Sequence, residues 1–274
     1  MKLAVSAWSL EKKLFSNEMS IFDFVEFCNG NNIEHMELLD CFWKDENDID
    51  EINKLLSKYN IDVAAYSIGN DFVQENFSER KKQIDAVKKS IDIACRLNTK
   101  IVRVFGGDVK KGISFDYAKG WIVESLKECV IYAEQKNVTL VLENHGKLAG
   151  KANQIKNIIE EVGSDYLKAN ADVGNFLLVN EDPYKAIEGL KDYIGYIHLK
   201  DLKRVIDEEI GYYSIDGSKY QGTIVGKGYV PIKEIISLLQ HVGYNGFLSI
   251  EYEGIGDPIQ DTIESINIVK LFLT

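Results

Sequence analysis

VTLVLE at 138–143, LKANAD at 167–172, IGYIH at 194–198 and GFLSIE at 246–251 are four apolar, strand-like runs. Each closes on a side chain able to bind a metal ion: Glu143, Asp172, His198 and Glu251. Each run then breaks into Gly, Asn or polar residues. A barrel of parallel strands gathers ligands in this way, at the C-terminal mouth of its sheet. The four runs therefore predict a barrel holding one divalent cation, and an enzyme acting on a small oxygen-rich substrate.

Working outward, eight strand candidates alternate with amphipathic helical stretches: 3–9, 35–39, 62–68, 100–106, 138–144, 167–172, 194–200 and 247–253. Trp8, Glu37 and Tyr66 follow one another at 29 residues, as do Glu143 and Asp172, and His198 comes 26 after Asp172. These are ordinary lengths for one strand and one helix. Asn60, Asn98, Asn137, Gly163 and Gly243 stand where helices should end before the next strand. The fold class is α/β, a single (β/α)8 TIM barrel over residues 1–274, with an insertion after strand 7. His198 to Glu251 spans 53 residues, which places the extra segment at about 201–228, on the catalytic face. It reads as two β-like pieces about a turn at Asp216–Gly217, expected to serve as a lid or a substrate wall, with a merely decorative hairpin as the alternative. An open doubly wound sheet is the main rival, but no GxGxxG follows the first strand.

The 274 residues suit one barrel, for which about 250 is typical. With 45% hydrophobic residues there is enough for a sizeable core, and no Ser/Pro/Gly-rich linker divides the chain. The first residues, MKLAVSAWSLEKKLF, meet charges too early for a signal peptide or a membrane span. The four cysteines lack CxxC spacing, so disulfides and zinc–thiolate sites are not expected, and the compartment is expected to be cytoplasmic. A net charge of −11, with its short basic runs diluted by acids, speaks against nucleic-acid partners.

Strand alternation assigns directions. Leu140 and Leu142 suit the helix layer, so Val141, Glu143 and His145 point inward. The same parity turns Tyr196, His198 and Lys200 inward, along with Ser249, Glu251 and Glu253, and puts Asn170 on the face of Asp172. Three carboxylates and one imidazole converging in a dry mouth would repel one another without a cation. A hard O/N donor set favours Mn²⁺ or Mg²⁺ and leaves Co²⁺ and Zn²⁺ open. His145 is expected to contact substrate or an oxyanion, or else to make a structural hydrogen bond. Lys200 and Arg103 are candidates for holding a substrate oxygen or phosphate. Glu37, taken to end strand two at the mouth, would position Arg103 or bind a substrate hydroxyl. Trp8 and Phe105 could form an apolar wall or pack in the core. His35 and His241 receive no role.

LENHG (142–146), ADVGN (171–175), HLKD (198–201), GKG (226–228), IEYEG (250–254) and RVFGG (103–107) stand in an order and spacing that resembles the xylose-isomerase-like sugar phosphate isomerase/epimerase superfamily. The resemblance covers essentially the whole chain, and it is not specific to one substrate. It implies the metal quartet Glu143, Asp172, His198 and Glu251, and, from the ketose 3-epimerase branch, that Glu143 and Glu251 act as an acid–base pair through an enediolate. His145 stands where hydride-shifting aldose isomerases have lysine, and Asn175 where two-metal relatives have histidine. Both departures imply one metal and proton transfer. The expected function is a divalent-metal-dependent isomerase or epimerase of a small sugar, sugar phosphate or hydroxy-keto acid. A dehydratase of keto-inositol type and a hydroxypyruvate isomerase are alternatives within the fold, and a non-catalytic carbohydrate-binding barrel is an alternative outside catalysis. An endonuclease IV-like repair enzyme is disfavoured by only 4 histidines and the acidic charge. A homo-oligomer is expected from the resemblance alone.

Overall fold

The computed structural model describes residues 1–43, 45 and 48–274. Eleven strands occur among them: β1 Lys2–Ser6, β2 His35–Leu39, β3 Asp62–Ser67, β4 Ile101–Phe105, β5 Thr139–Glu143, β6 Leu167–Asp172, β7 Ile194–Leu199, β8 Asp201–Val205, β9 Tyr212–Tyr213, β10 Lys219–Thr223 and β11 Phe247–Ile250. Eight of these close into a barrel in the order β1-β11-β7-β6-β5-β4-β3-β2, every pair parallel. The helices are α1 Glu11–Phe15, α2 Ile21–Gly30, α3 Asp48–Tyr59, α4 Phe77–Arg96, α5 Phe115–Lys136, α6 Ala152–Val162, α7 Asn175–Leu178, α8 Pro183–Leu190, α9 Ile232–His241 and α10 Pro258–Leu273. No helix among the described residues is long and apolar enough to cross a membrane.

Local chemistry starts and stops the helices. Ser20 and Asp23 form a reciprocal capping box on α2, and Asp182 and Asp257 cap helices that begin with proline. Asn60, Asn98, Asn137, Gly163 and Gly243 all take left-handed backbone at helix ends, as the sequence predicts.

Two apolar layers follow from strand alternation. Leu140, Leu142, Val102 and Val104 point outward and pack with the helices, for example Ile155, Ile158 and Ile159 of α6. Inside, Ala4, Ala64, Ala65, Val141 and Tyr196 form a small plug, with Phe247 and Ile101 against it. The barrel is thus a packed core and not a pore. Between Met36 and Glu37 the β2–β3 register slips by one residue, so Glu37 lies opposite Ala65. The slip turns Tyr66 outward against Trp43 and Ser67 inward. The 29-residue spacing of Trp8, Glu37 and Tyr66 therefore measures the repeat without fixing which way a side chain points.

The insertion is a three-stranded antiparallel sheet, β8-β10-β9, and not a two-stranded hairpin. The turn expected at Asp216–Gly217 is present, with Gly217 at φ 85° and its N–H donating to the Ser214 carbonyl at 3.1 Å. A second turn, in which the Glu209 N–H donates to the Ile206 carbonyl at 3.2 Å, lies in the connection from β8 to β9, which flank β10 and run parallel to each other. Only Lys200 separates β7 from β8, so this sheet grows directly out of the barrel mouth.

Candidate metal and active site

Glu143 and Asp172 are the last residues of β5 and β6, His198 lies one residue before the end of β7, and Glu251 directly follows β11. All four are buried, and each offers one ligand atom such that these atoms lie within 4.8 Å of one another. His198 organises the group. Its Nδ1 is 3.5 Å from both Glu143 Oε2 and Glu251 Oε1, while Nε2 is 2.9 Å from Glu37 Oε2. The Glu37 carboxylate can only accept, so Nε2 carries a proton toward it, and Nδ1 is the nitrogen turned to Glu143 and Glu251.

Glu37 is placed one layer lower than the sequence suggests. It sits in mid-strand, fully buried, and does not line the cavity. It accepts from Ser67 Oγ at 2.6 Å, Ser249 Oγ at 2.8 Å and Tyr196 OH at 3.3 Å as well as from His198. With its oxygens so engaged it is placed to orient the histidine.

The charges in this small volume are in conflict. Burial works to raise the Glu143 carboxyl, yet the Arg103 guanidinium and the two histidines hold it well below the usual carboxylate range. Burial pushes Asp172 up to about 7 in spite of Lys200, with Glu251 and Glu143 adding like charge. For His198, burial opposes protonation, but Glu37, Glu251 and Glu143 push the imidazole up to about 10. Lys200 Nζ stands 2.8 Å from Asp172 Oδ2, 2.8 Å from Glu251 Oε2 and 3.1 Å from Glu253 Oε1. Asp172 Oδ2 and Glu251 Oε2 nevertheless lack an aligned hydrogen bond, so these close contacts are Coulombic. Buried carboxylate oxygens without aligned donors, beside an imidazole nitrogen turned toward them, fit a divalent cation.

A cavity of about 310 Å³ opens above the four residues. Trp8, Phe15, Leu39 and Phe105 give it apolar wall, and Asp40, Arg103, His145, Lys200 and Glu253 give it polar groups. Trp8 belongs to the 3-10 turn Ala7–Leu10 beyond β1, and its Nε1–H donates to Glu253 Oε1 at 2.7 Å. His145 stacks on Phe105 at 4.3 Å between ring centres, with Nδ1 3.3 Å from Glu143 Oε1. Arg103 places Nε 3.2 Å from Glu143 Oε2 and donates from Nη1 to the Ile68 carbonyl at 3.1 Å. From the inserted sheet, Tyr212 reaches the rim, where Glu253 and then burial raise its phenol.

This barrel, with acidic ligands on adjoining strand ends, matches the model of the xylose isomerase-like TIM barrel over residues 21–271. The chain belongs to that family. Among curated relatives, L-ribulose-5-phosphate 3-epimerase UlaE of Shigella flexneri is 22% identical over 262 residues, covering 91% of this chain and 84% of that protein. Inosose dehydratase of Clostridium perfringens is 25% identical over 162 residues, about half of either chain (54% and 53%). Among solved structures, a D-tagatose 3-epimerase-like protein superimposes with a TM-score of 0.80 at 20% identity, covering 100% of this chain and 97% of that one, a likeness of fold.

In this xylose isomerase-like barrel several residues matter that sequence reading passed over. Asn144 is fully buried; its Nδ2 donates to the Asp172 carbonyl at 2.9 Å and its Oδ1 accepts from the Asp172 N–H at 2.8 Å, fixing that ligand's backbone from the neighbouring strand end. Asn175, noted only for not being histidine, donates to the Asn144 carbonyl at 3.1 Å and accepts from Lys200 at 3.4 Å. Asn170 donates to Glu143 Oε2 at 3.1 Å. Asp201 of the HLKD motif accepts from the backbone N–H groups of Leu202, Gly226, Gly228 and Val230 at 2.8–3.0 Å, which ties the base of the inserted sheet. A Cβ at Gly228 would come within 2.1 Å of Asp201 Oδ1, so this approach requires glycine. None of these partners carries a local signal, since each pairing joins segments 25 or more residues apart, apart from the Asp201 bond to its own neighbour.

Proposed function

We propose that this barrel is a divalent-metal-dependent isomerase or epimerase of a small sugar-like hydroxy-ketone, working by carboxylate-mediated proton transfer. One observation carries the reading: Glu143 and Glu251 are buried, line the same cavity, and both stand 3.5 Å from Nδ1 of His198. Glu143, Asp172, His198 and Glu251 would hold the ion, with Mn²⁺ or Mg²⁺ favoured by the hard donor set. When bound, the ion would polarise a ketone and the adjacent hydroxyl, making the C–H between them acidic.

The chain's own groups supply the rest. One glutamate removes the proton from the carbon beside the carbonyl, and the other returns a proton to the enediolate so formed. Return to the opposite face of the same carbon is epimerisation, and return to the neighbouring carbon is isomerisation. Lys200 and His145 would hold substrate oxygens, Arg103 keeps Glu143 ionised and oriented, and Trp8 with Phe105 excludes water from one side. The epimerase among the curated relatives supports this reading.

A second reading is a dehydratase, favoured by the inosose dehydratase relative and by the Lys200 ammonium lying 2.8 Å from Glu251, where a departing hydroxyl could be protonated. Both readings begin with the same proton abstraction.

The test is deuterium incorporation from heavy water into ketoses by Mn²⁺-loaded protein, followed by NMR. Exchange at a carbon beside the ketone is expected, with a stereochemical or positional product, and loss of water from the product would select the dehydratase. Glu143→Gln and Glu251→Gln should each lower turnover by about 10²–10⁴ while circular dichroism stays unchanged. Full activity in both variants would remove the acid–base assignment.

A further inference from the structure

Resting on that function, we infer that the substrate is an uncharged polyhydroxy ketone and that the mouth disfavours its phosphate ester, with Asp40 as a substrate-contacting residue of the wall. The charges facing the cavity carry the argument. Phosphate recognition needs a guanidinium, an ammonium or a row of backbone N–H groups free to meet it. Among the described residues lining this cavity the permanent cations are Arg103 and Lys200, and both are engaged.

Arg103 is 4% exposed, paired with Glu143, bonded to the Ile68 carbonyl, and laid over the Phe105 ring at 4.0 Å. Lys200, 3% exposed, is ringed by Asp172, Glu251 and Glu253, with Asn175 Oδ1 at 3.4 Å. The imidazole of His145 is turned to Glu143 through Nδ1. A phosphate group would have to take Arg103 or Lys200 from its carboxylates, and His145 would meet it through Nε2 alone. It would do so in a strongly negative field: Asp40, Glu143, Glu251 and Glu253 line the cavity, and Glu37 and Asp172 lie just behind it. Six carboxylates outnumber Arg103, Lys200 and the His198 imidazole, so that even a divalent ion leaves no surplus of positive charge for a phosphate. Such like-charge placement is how a site rejects one of two otherwise similar ligands.

A neutral polyol meets the opposite situation. Asp40 follows β2 in the turn Asp40–Phe42; its carboxylate accepts from the Gly69 N–H at 3.3 Å and faces the N–H groups of its own turn, and no cationic side chain is paired with it among the described residues, leaving lone pairs for hydroxyl donors. Glu253 offers acceptor capacity beyond its Trp8 bond, and the faces of Trp8 and Phe105 suit the C–H side of a sugar. A volume of about 310 Å³ is matched to a molecule of this size.

The experiment compares matched pairs, each a free ketopentose or ketohexose and its terminal phosphate ester, on the Mn²⁺-loaded full chain. Deuterium exchange and thermal shift are both read. The free sugar is expected to exchange with kcat/KM roughly tenfold or more above its ester and to give the larger thermal shift. Asp40→Asn, which removes one like charge and one acceptor, should narrow that ratio severalfold. Esters that exchange as well as the free sugars, or better, would overturn this inference and leave the proton-transfer function standing. Absence of exchange and of thermal shift with every pair would overturn the proposed function itself, and this inference with it.

Discussion

At the floor of the barrel Ala4, Val141, Tyr196 and Phe247 meet in a dry plug, whereas toward the mouth β5, β7 and β11 present Glu143, His198 and Ser249, with Arg103 of β4 and the buried Glu37 of β2 among them. On β5 the change takes two residues, from Val141 to Glu143; on β7 it runs from Tyr196 to His198, and both ends of each step point inward. The floor gains from burial, since each apolar group removed from water adds stability. Carboxylates gathered at the mouth cost stability until a cation, a lysine or an arginine neutralises them. Tyr196 joins the layers: its ring packs in the plug while its hydroxyl donates to Glu37. The contrast teaches that the floor sets how stable the barrel is, and the mouth sets how that stability depends on what is bound.

This comparison can be broken by treatments aimed at one layer. Stripping divalent ions with a chelator should abolish turnover without unfolding the chain, and restoring Mn²⁺ at a hundredfold above its Kd should add about 2.7 kcal/mol of stability. By calorimetry that is a rise in Tm of roughly 5–10 °C for a chain of this size. An unchanged Tm would mean that the carboxylates need no ion. Next in size, Glu37→Gln should weaken metal binding by about 10–100-fold, measured by titration calorimetry, because His198 loses the charged partner that holds its ring and tautomer. At the floor, Val141→Ala should cost about 2 kcal/mol in denaturant unfolding and leave metal affinity unchanged. A matching loss of metal affinity would show that the layers are not separable. The smallest effect is expected from Trp8→Phe: loss of its bond to Glu253, worth about 0.5–1.5 kcal/mol, should raise KM roughly two- to tenfold with kcat nearly constant.

Much of this was legible in the chain. Period-two alternation settled that Glu143, His198 and Arg103 face inward, because a strand has only two faces and leucines and valines claimed the outer one. Asn and Gly at helix ends marked the repeat, because only those residues take left-handed backbone cheaply. The same reasoning misplaced Glu37: the strand is legible as 35–39, but its central residue reads as a strand end, and the β2–β3 register slip beside it is not written in local pattern. It also read one turn in the insertion where two exist, because the stretch at 206–211 lacks an Asn–Gly or Asp–Gly signal.

By itself the sequence determined the α/β repeat, the closed parallel barrel and the side chains that line its mouth, since these follow from short-range periodicity and from the cost of burying charge. Only the tertiary structure decided which of them touch. His198 meets Glu37 across 161 residues, and Asn144 grips Asp172 across 28. Such contacts depend on how the strands stagger when the sheet closes, and that stagger is a property of the whole ring of strands, set by no single segment.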